Sequence, residues 1–179
     1  STVASFSLAS AGELATASDR RERAFFRRGG PPELTRRMQS GELKPDRGPD
    51  EPHPTAGATL VTARPPLAAF NLLLDTQELE VGKQIAAELR EAGGGLPGVR
   101  AIGLFLPHRG RAQVSLNVHD HHAAPLAEIV SRVRARASVA EAELVGLAPR
   151  AAFDRFPEDV PLRGFDPARH LIENALRSG

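Results

Sequence analysis

The eight residues Ala112–His119, AQVSLNVH, restrict the possible folds of this chain more than any other stretch. Successive side chains of a strand point to opposite faces, so Val114, Leu116 and Val118 share one face while Gln113, Ser115, Asn117 and His119 share the other. Such a strand belongs in an antiparallel sheet with one covered face and one face open to water, a ligand or a partner. Its neighbours are legible on both sides. Ala101–Leu106 (AIGLFL) is a short apolar run joined to it through a turn at residues 107–110, which makes a hairpin. Ala58–Leu74 reads as a long β element broken at Pro65-Pro66, because proline cannot donate to a ladder. Residues 75–93 read as a helix, with Asp75 and Glu78 spaced as a capping box and Leu79, Gly82, Ile85, Ala86 and Leu89 on one face. Pro125 opens a second helix, with Leu126, Ile129, Val130, Val133 and Ala137 at helical spacing, and Glu141–Leu147 is a last strand. The order β-α-β-β-α-β over residues 58–147 predicts an α+β fold of the ferredoxin-like sandwich type, with two helices on one face of a four-stranded antiparallel sheet.

The flanks are less regular. Val3–Leu8 has strand-like content but no evident neighbour, and a lone strand needs one. Arg20, Arg21, Arg23, Arg27 and Arg28 surround Phe25 and Phe26 in a short basic helix that reads as a solvated face, and Pro31-Pro32 opens another helix to about Met38. Turn residues concentrate at 41–57, which places the domain boundary there. Pro149–Phe156 reads as a short helix, and Asp166-Pro167 starts a terminal one whose buried stripe is Leu171, Ile172, Ala175 and Leu176.

Composition excludes several functions. The absence of cysteine removes disulfides, thiolate metal sites and a cysteine nucleophile, and is compatible with a cytoplasmic protein. No apolar run approaches the ~20 residues of a membrane span, and the N-terminus lacks a signal-peptide pattern, so no membrane partner is expected. With a net charge of +1, no Trp or Tyr, and only Phe70 and Phe105 in the strands, a nucleic-acid partner is not expected either. His119, Asp120, His121 and His122 form a suggestive HDHH run, but no second cluster completes a metal site, and no metal is expected.

HPTAGAT at residues 53–59, followed by ARPPLAAFN at 63–71, resembles the segment of glutamate formimidoyltransferases that leads out of the folate-binding loop. VRAIGLFL, GRAQVSLNV, APLAEIV and ELVGLAP follow in the order and at about the spacing of that family's C-terminal subdomain. RRGG at 27–30, PDRGP at 45–49 and VASFSLA near the start resemble the end of its N-terminal subdomain. The resemblance implies three parts: residues 1–47 as a remnant of the N-terminal subdomain and connector, 48–57 as the folate-binding loop, and 58–179 as the C-terminal subdomain. It implies transfer of a formimino group from N-formimino-L-glutamate to tetrahydrofolate in histidine degradation, with tetrahydrofolate as a substrate and no metal. A homodimer is compatible with it.

By the same resemblance, the folate contacts fall on Gly48, Pro49, Asp50, Glu51, Pro52, His53, Pro54, Thr55, Ala56 and Gly57, with Arg64 able to hold a carboxylate. Asn71, Gln113, Ser115 and Asn117 rank second, as polar groups on or beside the sheet. The family's acid/base histidine belongs to a segment with no counterpart in these residues, and Ser1 in place of Met suggests a processed, trimmed or cut start. No catalytic residue is therefore assigned. The alternative is a non-catalytic folate- or partner-binding module built on the same subdomain.

Overall fold

The computed structural model describes residues 5–7, 23–61 and 66–176. The chain divides into two compact units, residues 1–64 and 65–179.

In the first unit, β1 (Ser5–Ser7) pairs in parallel with β2 (Thr59–Val61), and α1 (Arg23–Arg27) and α2 (Gly30–Gln39) lie between them in sequence. Thr59–Val61 is thus the neighbour that the first strand needs, and it is not a member of the four-stranded sheet. The long β element expected over 58–74 is two strands in two sheets. Phe26, Met38 and Leu43 form a small core. Arg37 is 6% exposed and closes it: the guanidinium donates to the Phe25 carbonyl at 2.7 Å and to Glu42 at 2.8 Å, with its carbon 4.5 Å from the centre of the Phe25 ring. Arg36 bonds both Glu33 and Glu42. Arg36 and Arg37 of α2 therefore organise the turn that leads into residues 45–57.

The second unit is the ferredoxin-like sandwich. β3 (Ala68–Leu74), α3 (Leu79–Leu89), β4 (Val99–Leu106), β5 (Arg111–Val118), α4 (Leu126–Arg134) and β6 (Val139–Val145) follow in that order. The antiparallel sheet runs β4-β5-β3-β6 across. Alternate residues Phe70, Leu72 and Leu74 of β3 and Val114, Leu116 and Val118 of β5 face Ile85, Leu89, Leu126, Ile129, Val130 and Val133 in one continuous core. Helix α3 lies directly on β4, because a Cβ at Gly103 would stand 2.3 Å from the Lys83 nitrogen and 2.4 Å from the Gly82 carbonyl carbon. Only two glycines at that crossing permit the approach. On the opposite sheet face Ile102, Leu104 and Asn117 are exposed.

Three local expectations change. Asp75 does not cap α3, which starts at Leu79 with Glu78 at its cap. Its backbone N–H donates to Ser138 O at 2.8 Å, and Ala112 N–H donates to Thr76 O at 2.8 Å, so residues 75–76 are still held by the sheet. The Asp75 carboxylate pairs instead with Arg111 at 3.0 Å. The terminal helix is broken into α5 (Pro167–His170) and α6 (Ile172–Ala175), because Leu171 forms a parallel bridge with Ala148. Leu171 alone of the expected stripe is buried, and Leu176 is 79% exposed. Asp166 does cap α5, accepting from Ala168 N–H at 2.9 Å.

Candidate functional site

Two regions carry the groups that chemistry would use, one in each unit. In the first unit, residues 48–57 form a loop that closes on itself. His53 N–H donates to Gly57 O and Gly57 N–H donates to His53 O, both at 2.8 Å. The His53 ring sits inside this closure, with Nδ1 accepting from Ala56 N–H at 3.1 Å and Thr55 N–H at 3.3 Å. An Nδ1 that accepts from the backbone leaves the ring proton on Nε2, which fixes the tautomer. Gly57 has φ +68°, and no atom lies within 4 Å of a Cβ built there. Glycine is required here by the left-handed backbone rather than by crowding. Asp50, Glu51, Pro54, Thr55 and Ala56 are exposed, while Pro52 and His53 are half-buried. Arg64, named from the sequence as a carboxylate holder, lies outside the described residues.

In the second unit, the open sheet face carries a polar row fixed by register. Asn71 of β3 lies opposite Ser115 of β5 and Glu143 of β6. Ser115 Oγ–H donates to Asn71 Oδ1 at 2.7 Å, and Asn71 Nδ2–H donates to Glu143 Oε2 at 3.1 Å. Beyond β6, Ala142 bridges in parallel to Leu162. That bridge delivers Arg163 alongside the row, 3.3 Å from Glu143 and 3.8 Å from Glu141. Arg109, from the β4–β5 turn, pairs with Glu141 at 2.9 Å. These groups bound a cleft of about 220 Å³, which Gln113, Leu73 and His108 also line. Asn117 is exposed at the other end of the face, and Gln113, expected to be wet, is 9% exposed because Leu73 and Leu104 flank it in register.

Asn71, Gln113 and Ser115 were legible from alternation. Glu141 and Glu143 carry the same signal, since two carboxylates at i and i+2 in a strand share a face. Arg163 had none, because a bridge between residues 142 and 162 leaves no local pattern.

The HDHH run does something else. The Asp120 carboxylate accepts from His122 N–H at 3.0 Å and Ala123 N–H at 3.1 Å, and those bonds, that of Ala123 first, hold its pKa below the usual range. The rings of His121 and His122 stand 4.1 Å apart. Among the described residues, no group of three or more His, Asp or Glu side chains is placed to hold a metal. Burial first, and then the neighbouring His122, lower the His121 pKa from 6.5, against Asp120, Asp154 and Glu173. The folded state then binds fewer protons than the unfolded chain below pH 6.5, so His121 lowers stability as pH falls from there through its depressed pKa. Chemical denaturation between pH 7.5 and 5 is expected to show this slope, and His121→Gln should flatten it. A slope unchanged by the substitution would place the sensitivity elsewhere.

Comparison with known proteins is consistent along most of the chain. Residues 69–155 match the family model described as Formiminotransferase domain. The glutamate formimidoyltransferase of Streptococcus pyogenes serotype M1 is 34% identical over 170 residues, 92% of this chain and 57% of that protein. The glutamate formimidoyltransferase of Thermoplasma acidophilum is 33% identical over 145 residues, 78% of this chain and 48% of its own length. The formimidoyltransferase-cyclodeaminase of Gallus gallus is 36% identical over 153 residues, 79% of this chain and 28% of its own. The chain spans about half the length of the first two relatives.

Proposed function

We propose, for a chain whose residues 69–155 belong to the formiminotransferase domain family, that it is the folate-side portion of a glutamate formimidoyltransferase. In this reading residues 48–57 hold tetrahydrofolate, and the donor is N-formimino-L-glutamate. The observation that carries it is the closed loop at His53–Gly57, which lies within a match covering 92% of the chain to a relative of that name. A loop tied by its own backbone keeps its remaining polar groups at fixed positions, so little order is lost when a flat heterocycle binds. The exposed Asp50 and Glu51 place carboxylates beside it, where they can accept N–H groups of a pterin edge.

The reaction asks for more than binding. A folate nitrogen must attack the amidine carbon, and the departing glutamate nitrogen must receive a proton. The family's acid/base histidine has no counterpart in this chain's sequence, so these residues are assigned positioning and not proton transfer. Binding without turnover would equally suit a non-catalytic folate-binding module.

Calorimetry with folinate is expected to show saturable binding. Gly57→Val puts a β-branched residue at φ +68°, a strain of about 1–2 kcal/mol. If that strain distorts the bound loop, affinity falls roughly 5–30-fold. His53→Ala removes the acceptor for two loop N–H groups and should weaken binding as well. Equal affinity of both variants and the parent would move the folate site away from this loop.

A further inference from the structure

We infer that the cleft on the open sheet face, bounded by Arg163, Glu143, Glu141 and Arg109, seats the amino-acid donor and selects it by its pairing of an amidinium with carboxylates. This rests on the functional reading above and deepens it. Size is the first argument. At about 220 Å³ the cleft is smaller than the ~300–1,000 Å³ of sites that enclose drug-sized ligands, so it suits a molecule of amino-acid size rather than a whole folate.

Charge is the second. The cleft holds two arginines and two glutamates, so it does not present the uniformly positive wall that would favour a plain dicarboxylate. It fits a ligand carrying both signs a few bonds apart. N-formimino-L-glutamate does so, since its protonated amidine and its α-carboxylate are attached to one carbon.

Geometry is the third, because the four side chains are not equally committed. Arg109 and Glu141 make a 2.9 Å contact and are both half-buried, less exposed than Arg163, which marks them as the fixed frame. Arg163 is half exposed and touches its carboxylates at only 3.3 and 3.8 Å, long beside the ~2.7–2.9 Å of a good charge-assisted bond. Its guanidinium can swing onto an incoming carboxylate with little loss. That motion frees Glu143 Oε1, which faces Arg163, while Oε2 stays held by Asn71, itself oriented by Ser115. A carboxylate fixed at one oxygen and released at the other is placed to accept an amidinium N–H. Arg163 and Glu143 are therefore the specificity residues, and Asn71 and Ser115 position the latter.

The test uses the full 179-residue chain, titrated calorimetrically with N-formimino-L-glutamate, with glutarate as the dicarboxylate lacking a cation, and with folinate. Each donor titration is run with and without saturating folinate. N-formimino-L-glutamate is expected to bind at least tenfold more tightly than glutarate. Arg163→Gln should weaken it at least tenfold, and Glu143→Gln should reduce its advantage over glutarate to threefold or less. Folinate affinity should stay within twofold in both variants. Should either variant fail to fold, Arg163→Lys retains the charge at a half-exposed position and should bind more weakly through loss of the planar fork. Equal binding of glutarate, undiminished binding by the Arg163 variants, or no donor binding while folinate still binds overturns the inference and leaves the folate reading standing. Failure of folinate itself to bind overturns the folate reading instead.

Discussion

Given N-formimino-L-glutamate and tetrahydrofolate, these 179 residues are expected to turn over at least about 10²–10⁴-fold more slowly than the full-length Streptococcus pyogenes relative assayed alongside. Holding a folate and delivering a proton to the leaving nitrogen are separable tasks, and in the proposed reading residues 48–57 supply groups for the first alone. Loss of a single acid/base group accounts for a factor of that size, and imperfect orientation of the donor multiplies it. Three of the histidines offer no ready substitute. The His53 ring is engaged by its own loop, and the His121 and His122 rings stand 4.1 Å apart, tilted by 38°, beside the Asp120 turn. His108 is the one that lines the sheet cleft. Turnover matching the relative, abolished by His108→Ala or His53→Ala, would show that the chemistry resides in this half after all.

The largest stability change is expected from Phe70→Ala. Phe70 is 1% exposed and is enclosed by Phe153 and Phe156, with ring centres 6.4 and 5.8 Å away in edge-on geometry. Removing a ring so enclosed leaves a cavity that the surrounding strands cannot collapse, at a cost of about 3–5 kcal/mol. That is a large fraction of the ~5–15 kcal/mol that holds a domain together, and it should lower the melting temperature by on the order of 10–20 °C. Leu176→Ala is the matching control, since that side chain is 79% exposed and its truncation should fall within about 0.5 kcal/mol of zero. A drop of less than about 3 °C for Phe70→Ala, or an equal drop for both variants, would contradict the described core.

Leu176 also marks a limit of sequence reading. Val114, Leu116 and Val118 alternate in a strand and do face the core as expected, whereas Leu171, Ile172, Ala175 and Leu176 sit at helical spacing and mostly do not. Spacing reports a face only where the backbone holds one geometry throughout. At Leu171 the bridge to Ala148 interrupts the helix, and Leu176 then falls beyond the last turn, on the surface. Asp75 failed as a cap for a related reason: distant partners claim it, Ser138 O its backbone N–H and Arg111 its carboxylate.

Within residues 58–147, alternation and helical periodicity determined the sandwich and the polarity of its open face, because both patterns are local consequences of strand and helix geometry. The sequence likewise marked Gly57 as a turn residue and placed Asn71, Gln113 and Ser115 on or beside the sheet. Tertiary structure alone decided that Thr59–Val61 leaves the main sheet to pair with Ser5–Ser7, that the His53 ring locks residues 53–57, and that Arg109 and Arg163 converge on Glu141 and Glu143. Each of these joins residues through a pairing or a side-chain rotamer that leaves no periodic trace along the chain. A cleft assembled from a turn, four strands and a bridging segment exists only once the register of the sheet is set.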